Sequence, residues 1–148
     1  YPAATYDDAS HLFRWRADPV TRAMSREAGE ITREGHDDWF RCVAGAPGGP
    51  FIATIDGAPV GTVRASPDGD LIELSWTVAP ERRRLGIGAA MVKAWIAHLE
   101  EVAAMNDGGK MPVFSASVKR DNAPSLRIAW GLGFNAVSST DDAFYLVR

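Results

Sequence analysis

The order in which helical and strand periodicities alternate along this chain predicts a layered α/β fold on a mixed sheet. Three observations carry that expectation. Asp56-Gly57 and Asp68-Gly69 each separate apolar, strand-like runs, which defines an antiparallel meander of three strands. A long segment follows in which Met91, Val92, Trp95, Ile96, Leu99 and Val102 recur at helical spacing. A strand, a short helix and two more strands complete the chain. At 148 residues it is expected to form a single domain spanning 1–148.

Taken in order, Ala9, Leu12, Phe13 and Ala17 mark a helix from Asp7 to Ala17, and Thr5 with Asp8 offers a capping box. Pro19 opens a short second helix through Met24. Thr32 precedes a third, whose Trp39, Phe40 and Val43 form an apolar stripe and whose Cys42 is expected to be buried beside Val43. The Pro- and Gly-rich stretch Ala46 to Pro50 ends it. Phe51 to Ile55, Val60 to Ala65 and Leu71 to Val78 are the meander strands. The long helix stops near Asp107-Gly108-Gly109, Pro112 to Val118 is a buried strand, and Ala123 to Leu132 is a last helix ended by Gly133. Ala136 to Ser138 and Phe144 to Val147 are short strands about the turn Ser139 to Asp142. The chain begins at Tyr1 without a methionine, which leaves open that a first strand is truncated.

Composition narrows the function classes. A hydrophobic fraction of 46% with 24% charged residues belongs to a folded protein. Sixteen basic residues against 19 acidic ones give a net charge of −3, which does not suit non-specific nucleic-acid binding, so any anion site must be local. A single cysteine, Cys42, excludes an intrachain disulfide framework and a multi-cysteine zinc site, and fits a reducing, cytoplasmic setting; no metal is expected. No apolar run approaches the roughly 18 residues of a membrane span, and no basic-then-apolar leader is present at Tyr1 to Asp8, so neither anchoring nor export is expected.

The stretch richest in chemistry runs from Thr77 to Ala90: a strand ends, Pro80 and three arginines (Arg82, Arg83, Arg84) follow, Gly86 and Gly88 come at alternate positions, and the long helix begins. A helix N-terminus offers unpaired N–H groups and the positive end of a dipole, and glycines let a ligand approach the backbone, so this is an anion cradle. Without the glycines, the same arginines would read as a solvated turn. There is no Gly-Lys-Ser/Thr for a nucleotide P-loop, and Met91 stands where a dinucleotide fold needs a third small residue, which argues against nucleoside triphosphates and NAD.

Arg83-x-x-Gly86-x-Gly88, preceded by Val78-x-Pro80, resembles the acyl-CoA pyrophosphate loop of the GNAT acetyltransferase superfamily. Val118-x-x-x-Asn122-x-x-Ser125 with Gly133-Phe134 is similar to the second half of that family's pattern. A narrower resemblance joins Trp15-Arg16-x-Asp18-Pro19, Ile31-Thr32-x-Glu34-x-His36-x-x-Trp39-Phe40 and Glu73-x-Ser75-x-x-Val78 to N-acetyltransferases acting on nucleotide-linked amino sugars, the pseudaminic acid pathway type. Ribosomal-protein N-terminal acetyltransferases share the Asn-x-x-Ser and Gly-Phe elements. The chain departs from the family at Arg84, where Gly is usual, at Leu85, where a basic residue is usual, and at Ala129, where many members have a Tyr that protonates the leaving thiolate.

The resemblance implies a mostly antiparallel mixed sheet with a splayed strand pair, helices on both faces, and acetyl-CoA as the acetyl donor. The N–H groups from Arg84 through Leu85, Gly86, Ile87 and Gly88 to Ala89, with the guanidinium of Arg83 or Arg84, would hold the pyrophosphate. The strand Trp76-Thr77-Val78 would pair with the pantetheine amides, and the Val78 N–H would polarise the thioester carbonyl. Asn122 and Ser125 share a helical face and either bind the CoA chain or, for Asn122, cap the helix. Transfer needs a neutral amine, so a base must take a proton. Glu73 is the candidate, with an exposed edge charge as its alternative, and His36 and His11 are weaker candidates better read as surface or packing residues. Trp15, Arg16 and Asp18 would meet a sugar or nucleotide, or else Trp15 is simply core. Rival readings are acetylation of a protein N-terminus, a polyamine or another small amine, and a non-catalytic acyl-CoA-binding module. The partner is a small-molecule amine, with monomer and homodimer both open.

Overall fold

The computed structural model describes residues 6–25, 29–106 and 108–148. Three helices come first, α1 (Tyr6–Ala17), α2 (Pro19–Met24) and α3 (Arg33–Val43). The meander β1 (Phe51–Ile55), β2 (Ala58–Asp68) and β3 (Leu71–Val78) follows, then a 3₁₀ turn at Pro80–Arg82 and the long α4 (Ile87–Asn106). β4 (Phe114–Lys119), α5 (Ala123–Gly131), β5 (Asn135–Ser139) and β6 (Ala143–Val147) complete one sheet in the order β1-β2-β3-β4-β6-β5. Only the β3–β4 pair is parallel, so the sheet is mixed and mostly antiparallel.

Local chemistry accounts for the joints. Asp56 and Gly57 both take positive φ, 50° and 77°, the backbone that a two-residue hairpin requires. Thr32 caps α3 by accepting from the Gly35 N–H, Asp18 caps α2 through Thr21, and Asn122 caps α5 through Ser125. Thr5, half of the capping box expected at α1, lies outside the described residues. β2 runs on to Asp68, past the end expected at Ala65, and tolerates Pro67 because β1 pairs with it only from Ala58 to Val63. Beyond that, the missing N–H of Pro67 falls on an unpaired side.

The two faces of the sheet differ. Leu74, with Trp76 and Val78, points toward a large core that includes Val63, Met91, Val92, Trp95, Phe114, Leu126 and Phe134, beneath α4 and α5. The opposite face carries a smaller core, in which Ala9, Leu12 and Trp15 of α1 and Phe40 of α3 reach the sheet at Ile52 and Ala79. Cys42 is exposed, contrary to expectation. α3 buries His36 and Phe40, one turn apart, and a residue two beyond Phe40 lies on the far side of the helix. Trp39 also leaves the expected stripe and is 37% exposed.

Candidate active site

β3 and β4 pair only at Ile72–Phe114 and Glu73–Ser115, then separate, so the facing edges from Leu74 to Val78 and from Ala116 to Lys119 have no partner strand between them. The Ile72 N–H donates across to Val113 while the Ala79 N–H donates back to Val60 on β2. Alternation along the strand therefore turns the main-chain groups of Leu74, Trp76 and Val78 into the gap. An extended chain entering here would find a half-built ladder.

Beyond β3 the arginine turn divides its labour. Arg83 Nη2 donates to Asp18 Oδ2 at 2.9 Å and to Thr21 Oγ1 at 2.6 Å, fastening the turn to the start of α2. Burial works against ionising Asp18, but the Thr21 N–H and the Arg83 guanidinium outweigh it and hold the carboxyl below its usual value of 3.8. Asp18, expected to meet substrate, is thus occupied as a cap and an ion-pair partner. Arg84 is exposed, has no ion pair among the described residues, and takes a left-handed φ of 65°. That conformation explains why Gly is usual at this point of the pattern.

Gly86 (φ 73°) is open to solvent. Gly88 is buried, and a Cβ on it would come within 2.7 Å of Ile128 Cδ1 and 3.2 Å of Val78 Cγ2. Its smallness lets α4 close on α5 and β3, a packing role where ligand approach was expected. The N–H groups of Ile87, Gly88 and Ala89 have no hydrogen-bond partner among the described residues, and no acid stands in the first turn. The helix start can therefore receive phosphate oxygens. On its other flank, Leu85, Gly86 and Ile87 line a largely apolar cavity of about 490 Å³ against Ile52 to Ile55.

An open cavity of about 540 Å³ lies between the helical layer and the sheet, and it gathers Trp15, Arg16, Glu73, Trp76, Thr77, Asn122 and Ser125. The arginine turn, the α4 start and Val78 do not line it. Its sheet wall includes a polar row of Thr62, Thr77, Arg64, Ser75 and Glu73, set by the cross-strand pairs Thr62–Thr77 and Arg64–Ser75, while Glu73 pairs with Ser66 on β2 and Ser115 on β4. Behind Glu73, Asp68 Oδ2 accepts from Ser115 Oγ (2.6 Å) and Tyr145 Oη (2.5 Å). That bond to Asp68 keeps Tyr145 protonated above its usual 10.0.

The helical wall is aromatic. His36 is buried between Phe13 and Trp39, at ring distances of 5.4 and 5.2 Å. Burial holds its pKa below 6.5, against Asp37 and aided by Arg33 and Arg16, so it is neutral at pH 7. Trp15 Nε1 and His36 Nδ1 are buried without hydrogen-bond partners among the described residues, and both residues line this cavity. Ala129 is fully buried, and Trp130 faces outward at 52% exposure. Thr77, Ser117 and Ser125 contribute hydroxyl-bearing residues to the lining of the cavity.

Sequence reasoning missed Arg64. A lone arginine on a meander strand carries no motif, and only the register places it on the cavity wall. Lys119 was missed likewise; its Nζ donates to the Ala23 carbonyl at 2.9 Å, tying β4 to α2.

Residues 2–135 match the family model of the GNAT acetyltransferase domain, and the chain belongs to that family. It is thus an enzyme of the N-acetyltransferase class. No curated protein matches it. Among solved structures it is similar to a GNAT-family acetyltransferase from Bacillus anthracis, with 16% identity over 99% of this chain and 92% of that one and a TM-score of 0.78. It is also similar to a ribosomal-protein-alanine N-acetyltransferase from Brucella melitensis (21%, 99% and 97%, TM-score 0.77). A third is a phosphinothricin acetyltransferase from Sinorhizobium meliloti solved with acetyl-CoA (18%, 99% and 85%, TM-score 0.76). At such identities the likeness establishes the fold.

Proposed function

We propose that this chain transfers an acetyl group from acetyl-CoA directly to a primary amine, with an amino sugar on a nucleotide carrier as the acceptor. The observation that carries the reading is the gap between β3 and β4, which joins an unpaired strand edge to a cavity holding Glu73.

When bound, acetyl-CoA supplies an activated acetyl thioester. The free N–H groups of Ile87, Gly88 and Ala89, with Arg84, would hold its pyrophosphate, and the exposed edge of Leu74, Trp76 and Val78 would hold the pantetheine amides. Arg83 shapes the turn through Asp18. Asn122 keeps its place as a helix cap, and the Ser125 hydroxyl remains available at the cavity. The Val78 N–H is oriented to donate to a carbonyl oxygen as charge develops there. Glu73, on the cavity wall, takes the proton that the attacking amine must lose, directly or through a water. Ala129 offers no proton for the departing thiolate, and Tyr145 is committed to Asp68, so that proton comes from solvent or from a cavity hydroxyl.

The Brucella neighbour's name keeps acetylation of a protein N-terminus as a second reading. A polyamine acceptor suits the cavity poorly, because among the described residues its charged lining is Arg16, Arg64 and Glu73. Titration of acetyl-CoA into the protein should show micromolar binding, weakened by Arg84→Ala. Turnover with a nucleotide-linked amino sugar, lost in Glu73→Gln with acetyl-CoA binding retained, is the expected result. Tight binding without turnover on any amine would instead identify a binding module, and preference for an alanine-ended peptide would move the acceptor to protein. Absence of acetyl-CoA binding would remove the reading.

A further inference from the structure

The aromatic wall of the cavity and the arginine opposite it bear on what the acceptor carries besides its amine. Arg64 is half-buried on the polar row of β2, and its guanidinium stands 5.8 Å from the centroid of the Trp39 ring. It makes no ion pair among the described residues. Trp39 contacts His36, and Arg16, His36, Trp39 and Arg64 all line the cavity. Among the described residues, the charged groups of this lining are Arg16, Arg64 and Glu73, with His36 neutral. Trp15 Nε1 is a buried donor without an acceptor among the described residues, on a residue that lines the same cavity, and a ligand oxygen would satisfy it. Glu73 lies diagonal to Arg64 across the β2–β3 ladder, Arg64 facing Ser75 and Ser66 facing Glu73, which separates base and cation by about 7–8 Å of backbone.

We propose that the acceptor bears an oxyanion, carboxylate or phosphate, bound at Arg64 beside Trp39 and Arg16 while its amine lies at Glu73. This inference rests on the acetyl-transfer reading above. Two opposed groups at fixed separation orient the acceptor and tell it apart from amines of the same size. A guanidinium already held over an indole ring has fewer orientations to lose when it takes an oxyanion in its plane. A simple polycation meets the same arginines as repulsion.

The test compares kcat/KM for matched amines that differ by one anionic group: β-alanine against β-alaninamide, phosphoethanolamine against ethanolamine, and a nucleotide-linked amino sugar against the free amino sugar, with spermidine alongside. The anionic member should be preferred about tenfold or more in at least one pair, and the pair with the larger ratio tells carboxylate from phosphate. Arg64→Gln should collapse that ratio chiefly through KM, and Arg64→Lys should restore part of it. Equal rates in every pair, a ratio unchanged by Arg64→Gln, or spermidine as the best acceptor would each overturn the proposal. If acetyl-CoA binds but no amine turns over, calorimetry of the same pairs on the protein–CoA complex decides, and no preference there overturns it. Failure of acetyl-CoA to bind at all overturns the transfer reading itself, so the two failures are distinct.

Discussion

Trp95 and Trp39 stand on opposite sides of the sheet and are employed in opposite ways. Trp95 is 1% exposed, on α4, within a core that draws residues from the meander, the long helix and the C-terminal strands. Trp39 is 37% exposed, on α3, with a cationic side chain over its ring and a cavity beside it. One face of the sheet is filled with apolar side chains and the other is held open by polar ones. The difference teaches where the fold keeps its stability and where it keeps room for a ligand. On the open face, the buried Nε1 of Trp15 and Nδ1 of His36 belong to residues that line the cavity, within reach of what enters it.

The sharpest way to break that comparison is to truncate both tryptophans. Trp95→Ala should cost about 3–5 kcal/mol, since a buried aromatic leaves a cavity that its neighbours fill only in part. Trp39→Ala should cost less than about 1 kcal/mol, as befits a half-exposed side chain, while lowering kcat/KM for the acceptor. Urea unfolding of the two variants reads the difference directly, and equal losses would mean the open face is core after all.

A second contrast lies within the open face, between residues that fasten it and residues that line it. Asp18→Ala removes a helix cap and the partner of Arg83, and should cost about 1–3 kcal/mol. Because the folded carboxyl titrates below 3.8, its contribution is full above that pH and is lost as pH falls through the depressed folded value. A double-mutant cycle with Arg83→Ala should return a coupling of about 0.5–3 kcal/mol. A cycle without coupling would return both residues to the list of ligand contacts.

His36 gives a smaller effect with a defined pH window. Its folded pKa lies below the unfolded value of 6.5, so the unfolded chain binds the proton more readily and stability declines as pH falls from about 6.5 toward the folded value. His36→Phe, which keeps an aromatic ring between Phe13 and Trp39, should flatten the stability profile in that interval. A slope unchanged by this substitution would assign the proton to another group.

Much of this was legible in the chain itself. Periodicity and two Asp-Gly turns locate the meander, and the Arg83-x-x-Gly86-x-Gly88 spacing locates the helix start that can receive an anion. Local signals of that kind depend on neighbours a few residues away. Arg83 and Asp18 meet across 65 positions, and nothing near either residue announces the other. Arg64 becomes part of the cavity only through its register opposite Ser75. Cys42 was misplaced for a related reason, since adjacency to Val43 says less about burial than the turn-by-turn spacing of His36 and Phe40. Gly88 was legible as a requirement for smallness, but whether a ligand or a helix needs the space is settled by Ile128, 40 positions on.

The smallest expected effect concerns the turn where the two faces meet. Arg84 holds a left-handed backbone at φ 65°, which a non-glycine residue adopts at a cost of about 1 kcal/mol, and its exposed side chain has no ion pair among the described residues to offset that cost. Arg84→Gly should therefore raise stability by about 0.5 kcal/mol or somewhat more, the relief of strain exceeding the extra entropy that glycine gives the unfolded chain. If the guanidinium serves the pyrophosphate as proposed, the same substitution should weaken acetyl-CoA binding, so thermal midpoint and affinity move in opposite directions. That opposition separates a strained functional residue from a merely tolerated one, because a decorative arginine would yield the stability gain at no loss of affinity. Arg84→Ala supplies the control: it keeps the strain, removes the charge, and should lower affinity while leaving the midpoint of the free protein nearly unchanged.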